Sequence, residues 1–346
     1  MKTRGLVVKD SKSLLEPFEF ERRALKAHDV SLDIAFAGIC HSDIHQAREE
    51  WGPALYPMVP GHEIVGTVKE IGGAVTKFKV GDRIGIGVFI DSCRTCANCL
   101  KGLQQYCENG NTGTYNGYER DGKTIAFGGY SNHFVIDENY ALHVPENLSL
   151  AGVAPLLCAG ITLYSPLMHW KAQKGTNVGI IGLGGLGHMG VKFAKALGAN
   201  VTVFSHSPKK ESDAKAMGAD EFVVTSDPSA LKPFARKFDL ILNTVSAELD
   251  INAYLNLLNL DGTLVVIGLP GKPYSVEAGV LLGARRSMAG SQVGGIPEIQ
   301  EMLNFASEHN IVSDVEVIKA DYANAAYERT LASDVKYRFV IDGSSF

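Results

Sequence analysis

The sequence predicts an α/β chain in two parts, a β-rich, barrel-like unit and a doubly wound parallel sheet with helices on its faces. Three observations carry this expectation. At 346 residues, the chain is longer than one hydrophobic core usually serves, so two domains are the natural starting point. Its first half consists of short strand-like runs broken by glycine and proline. From Val178 onward, short apolar runs alternate with helical stretches, as strands buried on both faces of a parallel sheet do.

The elements follow in order. Val30–Phe36 and Glu63–Val68 alternate apolar and polar residues between turn-forming neighbours, the pattern of half-buried strands in a β-rich unit. The texture changes near residue 150. Val178–Ile181, Val201–Phe204, Phe222–Val224, Leu240–Thr244 and Leu264–Ile267 then read as buried strands. Pro297–Asn310 reads as an amphipathic helix and Tyr337–Ile341 as a final strand. A hydrophobic fraction of 45% suits a globular protein, and no run of about 18 apolar residues offers a membrane span. The N-terminus carries no apolar core followed by a small-residue cleavage site, so a cytoplasmic protein is expected. A formal charge of −5 with scattered Lys and Arg gives no basic stripe for nucleic acid. Small molecules are the expected partners.

The chain has six cysteines. Cys93, Cys96, Cys99 and Cys107 are clustered, while Cys40 and Cys158 stand far apart. Four thiolates at such spacing can enclose one Zn²⁺ tetrahedrally. Buried thiols or disulfides fit poorly, because Arg94, Thr95, Asn98 and Lys101 make the segment polar and nothing marks an oxidising compartment. A structural zinc would order a loop with little core of its own. A closed four-thiolate site has no open position, which sends catalysis elsewhere.

Cys40 opens Gly38-Ile39-Cys40-His41-Ser42-Asp43-Ile44-His45, and His62-Glu63 follows Pro60-Gly61. Singly, Cys40 could be a core thiol and His62 a satisfied core histidine. With Cys158 they offer two thiolates, an imidazole and a neighbouring carboxylate, and two Cys plus one His is a catalytic zinc set that leaves a position for water or substrate.

Gly182, Gly184 and Gly187 form G-x-G-x-x-G directly after a strand-like run and before the helical stretch His188–Leu197. That context is what a dinucleotide-binding fingerprint requires. The glycines supply in turn a tight turn, close approach to a pyrophosphate, and close helix packing, with the anion at the helix N-terminus. At the end of the next strand an NAD site usually has an acid for the ribose 2′-OH. This chain has Ser205-His206-Ser207-Pro208-Lys209-Lys210 instead. Hydroxyls, a histidine and lysines suit a 2′-phosphate, so NADP(H) is expected. A polar turn with solvated lysines is the bland alternative.

These elements together resemble the zinc-dependent alcohol dehydrogenases of the medium-chain dehydrogenase/reductase superfamily, most closely the cinnamyl alcohol dehydrogenase-like branch. The resemblance spans essentially the whole chain, through Gly-Ile-Cys-His-Ser-Asp at 38–43, Pro-Gly-His-Glu at 60–63, the 93–107 cysteines, Ala-Gly-Ile-Thr at 159–162, the glycine motif at 182–187 and Lys-Tyr-Arg-Phe-Val-Ile-Asp at 336–342. It implies a GroES-like catalytic domain over 1–150 and 297–346, and a Rossmann NADP-binding domain over 151–296.

Carried over by position, the resemblance makes Cys40, His62 and Cys158 ligands of a catalytic zinc, with Glu63 the carboxylate able to enter its coordination sphere. Cys93, Cys96, Cys99 and Cys107 hold a structural zinc, giving two per chain. Asp43 corresponds to the acid that orients the ligand histidine, although a helix-capping role rivals that reading. Ser42 and His45 correspond to a proton relay, which suits the pKa range of histidine. Thr162 corresponds to a residue packed on the nicotinamide, Ser205, His206 and Lys210 to the 2′-phosphate set, and His41 and Arg338 to basic residues near the pyrophosphate. Trp51, Tyr115 and Ile296 lie in segments that border the substrate pocket in similar enzymes.

The implied activity is hydride transfer between NADP(H) and a primary alcohol or aldehyde, with broad tolerance for aromatic and medium aliphatic aldehydes. A polyol dehydrogenase and a non-catalytic NADPH-binding zinc protein are the alternatives. A zinc-independent quinone or enoyl reductase would lack the Cys40, His62 and Cys158 set. The resemblance also implies a homodimer, for which Ser287–Gly294 could supply an exposed edge strand.

Overall fold

The alternating run at 30–36 lies within the strand Asp29–Gly38, the centre of a seven-stranded sheet in the computed structural model, which describes all residues from Met1 to Phe346. One edge of this strand pairs antiparallel with Ile64–Ile71, which continues to Arg83–Ile86 and Leu142–His143. Its other edge is shared. Asp29–Asp33 pairs with His133–Asp137, and Phe36–Gly38 pairs with the C-terminal strand Arg338–Asp342. Val315–Ile318 closes that side. The end of the chain thus supports the stretch that leads into Cys40.

Beyond the sheet, the helix His41–Ala47 buries Ile44 and Ala47 in a cluster with Ile39, Met58, Tyr130, Tyr327, Phe339 and Ile341. Complete burial of a residue such as Ile44 stabilises by about 1.5–3 kcal/mol. The Cys40 segment is therefore anchored by packing from both sides.

The chain divides into Met1–Ile161 with Gly294–Phe346, and Thr162–Val293. These limits differ from those expected at 150/151 and 296/297. The change of texture at 150 marks a helix and not a change of unit. The helix Leu150–Val153 and the turn Ala154–Leu157 belong with the first sheet, where a Cβ on Gly85 would meet the Leu157 side chain at 3.0 Å and Ser313 N–H donates to the Gly152 carbonyl at 3.0 Å. At the second limit, Gly294 lies close against Ile161, and Ile296 N–H donates to Gln104 Oε1 at 3.0 Å. The first unit consequently includes Cys158. The helix expected over 297–310 spans Ile296–Glu308.

The second unit is a six-stranded parallel sheet ordered Glu221–Val224, Asn200–Ser205, Asn177–Ile181, Phe238–Asn243, Leu258–Val266, Ser287–Gly290. This is the doubly wound order with its switch point at Asn177–Ile181. Val178, Ile180, Val201, Val203, Leu240 and Leu242 are all buried, as strands covered on both faces must be. Ser287–Gly290 is an edge strand. No single helix is long and apolar enough to cross a membrane.

Candidate active site

Cys40 follows the central strand of the first unit and caps the helix His41–Ala47 in extended geometry. Asp43, three residues on, turns its carboxylate back to accept the Cys40 N–H at 2.9 Å, one half of a capping box. The same carboxylate accepts the Gly61 N–H at 3.2 Å and lies 3.0 Å from His62 Nδ1. Capping and histidine orientation, set out above as rivals, are both made by one side chain.

Gly61 has φ +103°, and a Cβ there would meet the Tyr130 ring at 2.5 Å. Both demands select glycine. The turn aims His62 inward, where it is 3% exposed, and leaves its Nε2 without a hydrogen-bond partner. One donor atom each from Cys40, His62, Glu63 and Cys158 lies within 4.8 Å of the others. An orphaned buried imidazole nitrogen facing two thiols fits zinc, whose ligands these are. Glu63 Oε2 is likewise unpartnered, and Gly38 makes room for it, since a Cβ there would fall 2.1 Å from that oxygen.

The electrostatics agree with a cation site. Hydrogen bonding from Cys158 drives the Cys40 thiol well below its ordinary range, while the same contact and burial hold Cys158 well above it. Cysteine binds metal as thiolate, so a divalent cation held here would compete with the thiol protons. Burial alone would push His62 down, but the Asp43 charge and hydrogen bond, together with Cys40, raise it well above its usual value. Burial pushes Glu63 up to about 8, against the opposing pull of Arg338.

Arg338, expected near the pyrophosphate, opens the strand Arg338–Asp342. It is buried, with Nη2 on Glu63 Oε1 at 2.5 Å and on the Ile39 carbonyl at 2.8 Å. The pairing of its strand with the central one brings it to Glu63. His41, the other expected basic residue, is exposed at the start of its helix.

Ser42 and His45 are three residues apart on one helix, the spacing of one face. Ser42 Oγ is 3.5 Å from Cys40 Sγ. His45 Nδ1 lies 2.5 Å from Glu50 Oε2, and the Trp51 ring stacks on the imidazole at 4.9 Å. Glu50 escaped the sequence reading, because an acid five residues after a histidine in a polar segment has no distinctive spacing. Trp51, expected at the pocket, is 43% exposed and serves as a wall to His45. Tyr115 is buried with its ring 5.8 Å from that of His62. Ile296 is half-buried at the start of its helix.

The clustered cysteines form a second group. Cys93, Cys96, Cys99 and Cys107 have sulfurs within 4.8 Å of one another, and all six cysteines are free of disulfides. Arg94 takes a left-handed φ of 65° to fold the segment between the first two, tied by Asp91 at 2.9 Å and Asp137 at 3.0 Å. The Cys96 N–H donates to Cys93 Sγ at 3.3 Å, and Ser92 Oγ lies 3.1 Å from Cys99 Sγ. A side-chain contact from Asn109, then the N–H groups of Thr95 and Cys96, hold Cys93 down to about 5. Leu100, Leu103 and Tyr106 remain exposed, so apolar burial does little to order this loop. Four thiols in this arrangement fit a closed zinc site.

In the second unit the three motif glycines have distinct surroundings. Gly182 turns the chain with φ +90°. A Cβ on Gly187 would lie 2.0 Å from the Gly182 carbonyl, so helix and turn meet only without a side chain. A Cβ on Gly184 would meet nothing within 4 Å, leaving backbone open to an approaching ligand. The helix then runs Gly187–Ala196, and its N-terminal end, where the helix dipole favours an anion, follows directly on the glycine loop. Ser205 ends the next strand, buried, and accepts the Ser207 N–H at 3.2 Å, while His206 is exposed. Lys210 Nζ donates to the Leu183 carbonyl at 2.8 Å, joining this turn to the glycine loop. Thr162 is buried in the helix Ala159–His169.

Comparison with known proteins follows the same two parts. Residues 26–146 match the alcohol dehydrogenase GroES-like domain, and residues 185–308 match the zinc-binding dehydrogenase family. An NADP-dependent alcohol dehydrogenase C 1 of Mycolicibacterium smegmatis is 59% identical over 325 residues, which cover 94% of this chain and 93% of that protein. The aldehyde reductase YahK of Escherichia coli is 49% identical over 345 residues, covering 99% of this chain and 98% of that protein. A solved cinnamyl alcohol dehydrogenase, SbCAD4 of Sorghum bicolor, superposes with TM-score 0.96 at 44% identity, over 99% of this chain and 98% of that one.

Proposed function

We propose, from the premise that this chain belongs to the zinc-dependent alcohol dehydrogenases of the medium-chain dehydrogenase/reductase superfamily, that it reduces aldehydes to primary alcohols with NADPH, accepting aromatic and medium aliphatic substrates. The observation that carries the reading is the group of half-buried Cys40 with buried His62 and Cys158, in which one imidazole nitrogen is unpartnered.

Zinc held by these residues supplies Lewis-acid polarisation of a substrate oxygen, and NADPH supplies the hydride. The chain's own residues do the rest. Asp43 accepts from His62 Nδ1, which fixes the tautomer with Nε2 as the donor to metal. The packed residues around Cys40 and His62 keep this group dry. In aldehyde reduction His45, held at Nδ1 by Glu50, takes a proton from solvent and Ser42 passes it inward to the substrate oxygen; alcohol oxidation runs the same relay in reverse. Ser42→Ala is expected to lower kcat about a hundredfold, at the low end of general acid–base contributions, without weakening NADPH binding. Turnover near wild type with cofactor still bound would remove Ser42 from the relay.

Preference for NADP(H) is assigned to the Ser205–Lys210 turn, supported by its hydroxyls and lysines and by the absence of an acid at the strand end. In Ser205→Asp, a carboxylate repels a 2′-phosphate and accepts a 2′-OH. The ratio of kcat/KM for NADPH over NADH should fall by about a hundredfold or more, the effect of several kcal/mol of charge discrimination. An unchanged ratio would sink this account. A panel of benzaldehyde, cinnamaldehyde, hexanal and mannitol, scored by kcat/KM, separates aldehyde reduction from polyol oxidation.

The second zinc is assigned to the four-cysteine loop. A homodimer joined through Ser287–Gly290 is the proposed assembly, since this strand leaves an unpaired edge; a monomer by light scattering at micromolar concentration would exclude it. Six free cysteines used as ligands need a reducing compartment, which supports a cytoplasmic location, testable by cell fractionation.

A further inference from the structure

The residues behind His62 form a layer for which hydride transfer gives no account. Asp43 is fully buried and its two oxygens each meet two donors. Oδ1 receives the Gly61 N–H and faces His62 Nδ1, while Oδ2 receives the Cys40 N–H and, at 2.9 Å, the hydroxyl of Tyr130. The acceptor capacity of the carboxylate is thereby filled. Three of these donors belong to the Cys40 and Gly61-His62 segments themselves. Tyr130 comes from elsewhere in the chain, and it is 0% exposed.

Its own position is set with unusual redundancy. Gly128 N–H donates to Val59 at 2.6 Å, Gly129 N–H to Gly61 at 2.8 Å, and Tyr130 N–H to Pro60 at 2.9 Å. On the outer side, the Arg22 guanidinium donates to the carbonyls of Phe127, Gly128 and His133 and to Ser131 Oγ, while lying 4.2 Å from the Phe134 ring centroid. Gly61, lacking a Cβ, lets the ring pass within touching distance of the backbone before His62. A hydroxyl held this firmly can fix the rotation of the carboxylate it meets.

We propose that Tyr130 is a positioning residue for the metal: by holding Asp43 in one rotamer it keeps Oδ1 on His62 Nδ1–H and so keeps Nε2 aimed at the ion. The inference rests on the reading of Cys40, His62 and Cys158 as zinc ligands. It concerns retention and geometry of the metal, and Tyr130 touches neither substrate nor cofactor.

The test uses the full-length, zinc-loaded protein challenged with a chelating indicator dye, with release followed in time. Parent protein should release zinc in two phases, one of them absent from Cys158→Ser. In Tyr130→Phe that phase should quicken about tenfold, the lower end of what outer-shell partners contribute to metal binding, while the other phase stays unchanged. With cobalt(II) in the site, the visible absorption bands should shift in Tyr130→Phe. Two further replacements keep the bulk of the ring and decide the matter even if the Phe variant folds poorly. At position 130, p-aminophenylalanine, which retains a para N–H donor, should restore slow release, and p-methylphenylalanine should not. Equal release from those two, or a Tyr130→Phe rate and cobalt spectrum matching the parent, would overturn the role of Tyr130 alone. A parent without a phase that depends on Cys158 would overturn the ligand assignment and this inference with it.

Discussion

Cys158→Ser should lower kcat/KM for NADPH-dependent benzaldehyde reduction by about three orders of magnitude or more. Lewis-acid polarisation contributes several kcal/mol to such reactions, and each ~1.4 kcal/mol is a tenfold change in rate. Serine is close to isosteric with cysteine, but its oxygen is protonated at neutral pH and is a poor partner for a metal that thiolate holds tightly. Cys158 follows the turn Ala154–Leu157, whose residues are all buried, so the backbone should stay in place and the loss should be chemical. The glycine motif and the Ser205 turn lie in the other unit, so NADPH binding measured by fluorescence should survive. Metal analysis should show about one zinc fewer per chain. A variant retaining activity within tenfold of wild type would exclude Cys158 as a ligand.

The second large effect belongs to the clustered cysteines and should appear in stability. Cys99 is the most enclosed of the four, with burial pushing its thiol up to about 11 and Ser92 and Tyr140 stacked in a hydrogen-bonded file behind it. Loss of a structural metal is among the few single changes that cost about 4 kcal/mol or more. In a unit of this size that lowers the melting temperature by roughly 8–16 °C. Cys99→Ser should therefore melt well below wild type in calorimetry and lose a zinc, while the folded fraction assayed in the cold keeps most of its turnover. The loop also touches the helix Ile296–Glu308 through Gln104 and through Gly102 against Pro297, so its loosening should spread beyond its own residues. A melting temperature within about 2 °C of wild type, which is under 1 kcal/mol at this size, would show that the four thiols do not hold the loop through metal.

Much of this architecture was legible because certain chemistries leave few choices of residue and spacing. Few side chains bind zinc tightly, thiols and imidazole foremost, and only glycine fits at positions 182 and 187, so both sites announce themselves along the chain. Strand Val178–Ile181 was readable for the same reason, since a parallel sheet buries both faces. What escaped involves partners brought together by pairing of distant segments. Tyr130 reaches Asp43, and Arg338 reaches Glu63, only through the register of strands around Asp29–Gly38. Neither residue has a local pattern that foretells this. The unit limit at 161/162 was missed because a helix start looks the same whichever sheet it packs against.

The shared edge of Asp29–Gly38 has a further bearing, on the order in which the protein can be completed during synthesis. The half of that strand leading into Cys40 is paired by Arg338–Asp342, which a ribosome adds after the whole of 162–293. The inner unit, 162–293, has all its strands translated earlier and can close while synthesis continues, as domains commonly do. The other unit has segments on both sides of it in sequence, so its sheet closes only after 162–293 has been made. Glu63, buried beside the two thiols, receives its arginine counter-charge only once residue 338 has been made, so a fully formed site waits on a strand translated after the entire second unit.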